Sequence, residues 1–209
     1  MADELVFYTN PMSRGQTIRW MLEELAVPYE TVLLDYDSSM QGAEYLAINP
    51  MGKVPAIRHN GQVVTESAAI CLYLADAYPA AELGPRPEER ASYYRWAFFG
   101  AGPFEQATVN GSVFGAPPQA EQGRMLGYGS LEKTMAAVDG WLSQNEYFCG
   151  PRFTAVDVSF GMNLRFNLEF QTAPGTPALE AYVERIKARP AYARAQAIDA
   201  AHMPDAPST

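Results

Sequence analysis

The apolar positions of the first eighty residues change period several times, and each change marks an element. LVFYT, residues 5–9, is a short apolar and aromatic run closed by Asn10-Pro11, the pattern of a buried strand. From Gln16 to Ala26 the spacing lengthens. Ile18, Met21, Leu22 and Leu25 recur at three- and four-residue intervals, which predicts an amphipathic helix stopped by Pro28. YETVLL, 29–34, is β-branched and apolar and predicts a second strand. A short helical piece around Ala43–Ala47 breaks a mixed stretch. VPAIRH, 54–59, then gives a third strand, and Asn60-Gly61 a two-residue hairpin turn into QVVT, 62–65. From Glu66 to Tyr78 the helical period returns, with Ile70, Tyr73 and Leu74 on the inner face. The order β-α-β-α-β-β-α predicts a small α/β domain with a mixed four-stranded sheet: one parallel pair joined through a helix, and an antiparallel hairpin at the edge.

PAAELGPRPEE, 79–89, is rich in proline, glycine and acids and reads as a linker. Everything after it has a helical period. Arg90–Gln106 is aromatic and apolar. Residues 119–145 read as one long amphipathic helix with Met125, Leu131, Met135, Val138 and Leu142 as core positions. Thr154–Phe170 and Pro177–Arg189 give two more helices. The small, polar tail after Pro204 is expected to fray. The fold class is therefore α/β followed by all-α, with domains at 1–80 and 89–209 and a linker at 81–88.

Composition narrows the function. Of 209 residues, 48% are apolar and 19% charged, which is globular. A net charge of -9 lacks the basic footprint that nucleic acid or an anionic membrane requires, so neither is an expected partner. The two cysteines, Cys71 and Cys149, lie far apart with no metal-ligand spacing, and both read as packed, inert thiols. No metal is expected. Low cysteine use fits a reducing cytoplasm. The N-terminus has acids where a secretion signal has bases, and no apolar run is long enough to span a bilayer.

Four constellations could carry chemistry. Val54-Pro55, after Asn49, Pro50, Gly52 and Lys53, is a candidate cis-proline at a strand start. Such a bond would turn the Val54 backbone outward as an edge for an extended peptide-like ligand. Thr65-Glu66-Ser67 lies at a strand-to-helix junction, where Ser67 can take a carboxylate at the helix N-terminus and Glu66 an ammonium group: together, an α-amino-acid head. Thr154 and Asp157 form a capping box, a structural device. In NPMSRG, 10–15, Asn10, Ser13 and Arg14 flank a helix N-terminus. A thiol there would meet donors, a guanidinium and the positive helix end, all favouring its thiolate.

Taken in order, WMLEELAVPYE, AINPMGKVPAI, TESAAICLYLADAYP and FTAVDVSF resemble the glutathione transferase superfamily over nearly the whole chain. The resemblance implies a thioredoxin-like N-terminal domain, an all-helical second domain and a homodimer. Glutathione would be the co-substrate and a small apolar electrophile the partner molecule. It assigns Val54 to the cysteinyl backbone of glutathione, Pro55 to the family's cis-proline, Glu66 and Ser67 to the γ-glutamyl head, and Lys53 to the glycyl carboxylate. Met40 stands where a basic ligand to that carboxylate is common. The sulfur partner stays open among Ser13, which is favoured, Asn10 and Arg14. Met12, Phe104 and Phe114 are expected to line the second pocket, with Phe99 and Phe166 better explained as core. Glu105 could reach the glutathione amine across a dimer. The alternatives are a non-catalytic regulatory or protein-binding module of the same fold, or a glutathione-dependent peroxidase, isomerase or dehalogenase.

Overall fold

The computed structural model describes residues 4–115 and 121–203, so the tail after Pro204 lies outside the described residues. The chain forms two compact units. The first runs through Ala81 and takes in the chain from Arg189 onward; the second is Glu82–Ala188.

The first unit is built on strands β1 (Leu5–Thr9), β2 (Glu30–Leu33), β3 (Ala56–His59) and β4 (Gln62–Thr65), in the order β2-β1-β3-β4. β1 pairs parallel with β2, and β3 antiparallel with both β1 and β4, which is the mixed sheet the periodicity predicts. All five residues of β1 are buried, as a central strand requires. The β3–β4 hairpin turns at Asn60 and Gly61, both at positive φ (51° and 80°), the conformation that favours an Asn-Gly pair. Helix α1 (Gly15–Leu25) buries Ile18, Trp20, Met21 and Leu22; α2 (Ala43–Leu46) buries Tyr45; α3 (Ser67–Ala77) buries Ile70, Cys71 and Leu74, with Tyr73 half-buried. Val6, Tyr8, Leu34, Met40, Tyr45 and Ala56 close one core cluster.

A last helix, α9 (Pro190–Ala200), has no counterpart in the sequence reading and belongs to this first unit, where it packs on α1. Trp20, fully buried, meets Tyr192 edge-on at 5.3 Å. Arg189 clasps Glu24 through two bonds, 2.6 and 2.8 Å, and the Trp20 indole N–H donates to the same carboxylate.

The second unit is helical: α4 (Arg90–Phe99), α5 (Glu105–Ser112), α6 (Leu131–Leu142), α7 (Ala155–Glu169) and α8 (Pro177–Lys187). Between α4 and α5 a π-turn, Gly100–Phe104, carries the chain past Pro103, which has no N–H to give the ladder. Gly100 is required there, because a Cβ would fall 2.6 Å from the Phe160 ring. Trp96, Phe104, Phe148, Phe160 and Tyr182 form an aromatic core, with Phe148 stacked on Phe160 at 4.5 Å. The stretch 82–89 is braced rather than loose: Arg152 grips the Glu89 carboxylate and the carbonyls of Glu82 and Gly84.

The long helix expected over 119–145 is a correction. Residues 119 and 120 lie outside the described residues, 122–124 form one tight turn, and the helix starts only at Leu131. Gly129 takes φ +69°, Ser130 then caps α6 by accepting from the Lys133 N–H, and Met125, expected in the core, is 91% exposed. Among the described residues no helix is long and apolar enough to cross a membrane, and no group of three metal-ligating side chains is present.

Candidate functional site

The sheet register brings three loops to one end. Tyr8, Ala56 and Thr65 form one row across β1, β3 and β4. Just beyond that row lie Asn10–Arg14, Lys53–Pro55 and Glu66–Ser67.

The first loop joins β1 to α1. Asn10 is buried, and its amide is used on both sides: Nδ2 donates to the Leu34 carbonyl (2.8 Å) and Oδ1 accepts from the Met12 N–H (2.9 Å). The loop carbonyls are tied back as well. That of Asn10 accepts from the Ser13 N–H and hydroxyl (3.0 and 2.6 Å), that of Pro11 from Gln16 Nε2 (2.7 Å), and that of Met12 from the Tyr36 hydroxyl (3.4 Å). Ser13 is half-buried, and its oxygen also accepts from the Gly15 N–H (2.9 Å). Ser13 and Arg14 stand at the opening of an eleven-residue helix whose first N–H groups and dipole face this end. Arg14 and Met12 are exposed.

The second loop leads into β3. The Val54-Pro55 bond is cis, as the sequence suggests. The ladder of β3 begins at Ala56 toward both neighbours, so the Val54 backbone lies past the last paired rung. Asn49 holds this loop together with Tyr45 and Gln41, two residues that the sequence reading did not include. The Tyr45 hydroxyl (2.6 Å) and Asn49 Nδ2 (2.7 Å) both donate to the Lys53 carbonyl, and Gln41 Nε2 donates to that of Gly52 (3.3 Å). Burial pushes the Tyr45 phenol up to about 12, so it stays a donor. Gly52 sits at φ +57°, where a Cβ would also press on Gln41. Met40 is buried in the core cluster.

In the third loop Glu66 takes φ +68°, a left-handed value for a non-glycine residue, and is exposed. Its side chain makes no cap bond to α3, although its carbonyl accepts from the Ile70 N–H at 2.9 Å. Ser67, half-buried, opens α3.

The residues expected around a second pocket divide differently. Phe114 is 71% exposed, in the second unit. Phe104 is fully buried, edge-on to Phe160 at 5.0 Å, and so belongs to the core of that unit and not to an open wall. Phe99 packs on Trp96, and Phe166 stacks on Phe170. Glu105 accepts from Asn163 Nδ2 at 3.1 Å. An open cleft of about 790 Å³ in the second unit, bordered by Arg165, Thr172, Glu180 and Lys187, contains none of the sequence-predicted site residues.

The remaining groups are structural. Burial pushes the Cys71 thiol far up and that of Cys149 up to about 11. Thr154 and Asp157 make the expected capping box. The Asp157 carboxylate accepts from the Phe148 and Thr154 N–H groups and the Thr154 and Tyr182 hydroxyls, while burial raises it to about 6.

Known proteins resemble this chain in sequence and in fold. Residues 12–77 match the family described as glutathione S-transferase, N-terminal domain, and residues 116–190 the family described as glutathione S-transferase, C-terminal domain. Glutathione S-transferase GstA of Escherichia coli O157:H7 is 31% identical over 71% of this chain and 75% of its own length. Glutathione S-transferase 3 of Schizosaccharomyces pombe is 34% identical over 69% of this chain and 66% of its own length, just under two thirds. The crystal structure of the glutathione transferase URE2P6 from Phanerochaete chrysosporium, in complex with oxidized glutathione, superposes with a TM-score of 0.76 at 25% identity. That superposition covers 97% of this chain and 99% of the other.

Proposed function

This chain belongs to the glutathione S-transferase superfamily, and from that premise we propose that it is a glutathione transferase. It activates the glutathione thiol as a thiolate and directs it at a small apolar electrophile. One observation carries this reading: three loops of the first unit meet at one end of its sheet, with the Val54 backbone just beyond the paired ladder. That edge suits the main chain of an extended peptide, and glutathione is one. The Glu66 carboxylate takes the γ-glutamyl ammonium group, Ser67 and the α3 N-terminus take its carboxylate, and Lys53 takes the glycyl carboxylate.

The sulfur lies at the α1 N-terminus, with Ser13 as its donor. The Asn10 amide is already bonded on both sides, which argues against Asn10 in that role. Ser13 has one proton, now given to the Asn10 carbonyl, and must turn it toward the thiolate when glutathione is bound. The Asn10 carbonyl keeps the Ser13 N–H as a partner. Arg14 and the helix dipole add positive potential. The thiol gives its proton to solvent, the thiolate forms the new carbon–sulfur bond, and the leaving group departs with the electron pair. No protein nucleophile is needed. The exposed Met12 borders the electrophile's pocket. The protein works as a homodimer in a reducing cytoplasm; the exposed Tyr94 and Phe98 on α4 offer an apolar contact face.

Ser13→Ala tests the assignment. It should lower kcat at neutral pH by about tenfold or more, because less of the bound thiol is ionised, while glutathione affinity changes about twofold at most. Steady-state kinetics and calorimetric titration read the two quantities. Equal losses in both would remove Ser13 from the sulfur.

A further inference from the structure

We infer that Tyr36 is a specificity-determining residue, an aromatic wall at the mouth of the sulfur site that selects flat aromatic electrophiles over small aliphatic ones. The inference rests on the transferase reading above and extends it to a substrate class.

The observation is how the segment after β2 is fastened to the loop before α1. The Leu34 N–H donates to the Thr9 carbonyl at 2.8 Å, and Asn10 Nδ2 donates to the Leu34 carbonyl at 2.8 Å. Two residues on, the Tyr36 hydroxyl reaches the carbonyl of Met12, the residue next to Ser13. The chain around Tyr36 is itself folded back. Ser39 Oγ accepts from the Asp35 N–H (2.8 Å), and the Met40 N–H donates to the Asp35 carbonyl (3.1 Å). The residues just before Tyr36 are fixed by these bonds, and its hydroxyl is directed at the Met12 carbonyl 3.4 Å away.

Tyr36 is 44% exposed and Met12 is 56% exposed. A phenol that gives its proton to a backbone carbonyl and leaves much of its ring to solvent presents a flat apolar surface at little entropic cost. That surface borders the loop bearing Ser13, where it can meet a ring brought to a thiolate bound there. A planar arene can lie against it; a one-carbon electrophile gains almost nothing. Arene substitution also proceeds through an anionic σ-adduct that stays planar outside the reacting carbon, so the contact persists into the transition state.

The test uses the full-length protein with two electrophiles. With 1-chloro-2,4-dinitrobenzene the thiolate bonds to the ring carbon and chloride leaves; with iodomethane it bonds to the methyl carbon and iodide leaves. The readout is the ratio of kcat/KM for the arene to that for iodomethane. Tyr36→Ala should lower this ratio about tenfold, mainly through the arene KM, and Tyr36→Phe should recover most of it, because the ring does the selecting. An unchanged ratio in Tyr36→Ala, with both rates intact or both reduced alike, would overturn the inference. So would equal falls of the ratio in Tyr36→Ala and Tyr36→Phe, which would assign the effect to the hydroxyl. Calorimetric titration of the unaltered protein with glutathione separates the premise: binding there with an unchanged ratio defeats the Tyr36 wall alone, whereas no binding defeats the transferase reading and the wall with it.

Discussion

At Gly15 the approach of α1 to β1 leaves no room for a side chain. A Cβ there would lie 1.9 Å from the Thr9 Oγ1 and 2.9 Å from the Ser13 Oγ. The neighbour that must yield first is a fully buried threonine, so the strain cannot be relieved by a flexible tip. Gly15→Ala should cost about 2 kcal/mol of stability by denaturant titration. It should also weaken glutathione binding, since α1 must move off the sheet. A stable variant with unaltered affinity would show that the close approach has no bearing on the site. The glycine of NPMSRG therefore serves helix–strand packing. At this scale the sequence was only half legible. Residue types alone leave Asn10, Ser13 and Arg14 open as sulfur partners, because the Asn10 amide donates to the Leu34 carbonyl, twenty-four residues away. Tyr45 and Gln41, which hold the loop before Pro55 together with Asn49, gave no signal either, since a buried tyrosine and an amide look like ordinary helix and loop residues.

At the scale of elements, legibility followed periodicity. LVFYT and QVVT coincide with β1 and β4, and the Asn-Gly turn, the α1 stripe and the Thr154–Asp157 box all stand where their patterns put them. The β3 pairing starts two residues later than its apolar run, after Pro55. The reading failed where pattern and backbone disagree. Apolar spacing runs on across 121–130, but Gly123, Gly127 and Gly129 break the helix there, and only Ser130 begins it. The opposite error hid α9. Its buried positions are Ala191, Tyr192, Ala195 and Asp199, so it docks through one aromatic ring, two alanines and an acid, with no stripe of large aliphatic residues. Charge adds to the Trp20–Tyr192 contact. Arg19, 1% exposed in α1, bonds Asp199 at 3.2 Å and also donates to Tyr29 and Thr31. Asp199→Ala would leave that guanidinium buried beside an apolar group. It should cost about 3–5 kcal/mol, with Trp20 emission shifting toward that of an exposed indole as α9 loosens. Asp199→Asn keeps an acceptor and should cost less. A loss below about 1 kcal/mol for Asp199→Ala would mean that α9 is held by packing alone.

For the molecule as a whole, a net charge of -9 opposes a ligand with two carboxylates and a thiolate. The conflict is local in scale. Charges farther apart than about 8 Å are largely screened at physiological salt, whereas in the proposed complex Lys53, Arg14 and the N-termini of α1 and α3 would act at contact distance. A local cluster of donors can admit a small anion even within an acidic chain. The family was legible because four separate stretches occur in register; the electrophile was not, because it depends on the shape of a pocket that no motif encodes. The measurement that tests the central claim most directly is an ultraviolet difference titration of glutathione bound to this protein, following thiolate absorbance against pH. The account predicts a bound thiol ionising about two units below its free value near 8.5, a stabilisation of roughly 2.7 kcal/mol. Glutathione that binds with an unshifted thiol would contradict it, and the loop from Asn10 to Gly15 would then be a helix start without a catalytic role.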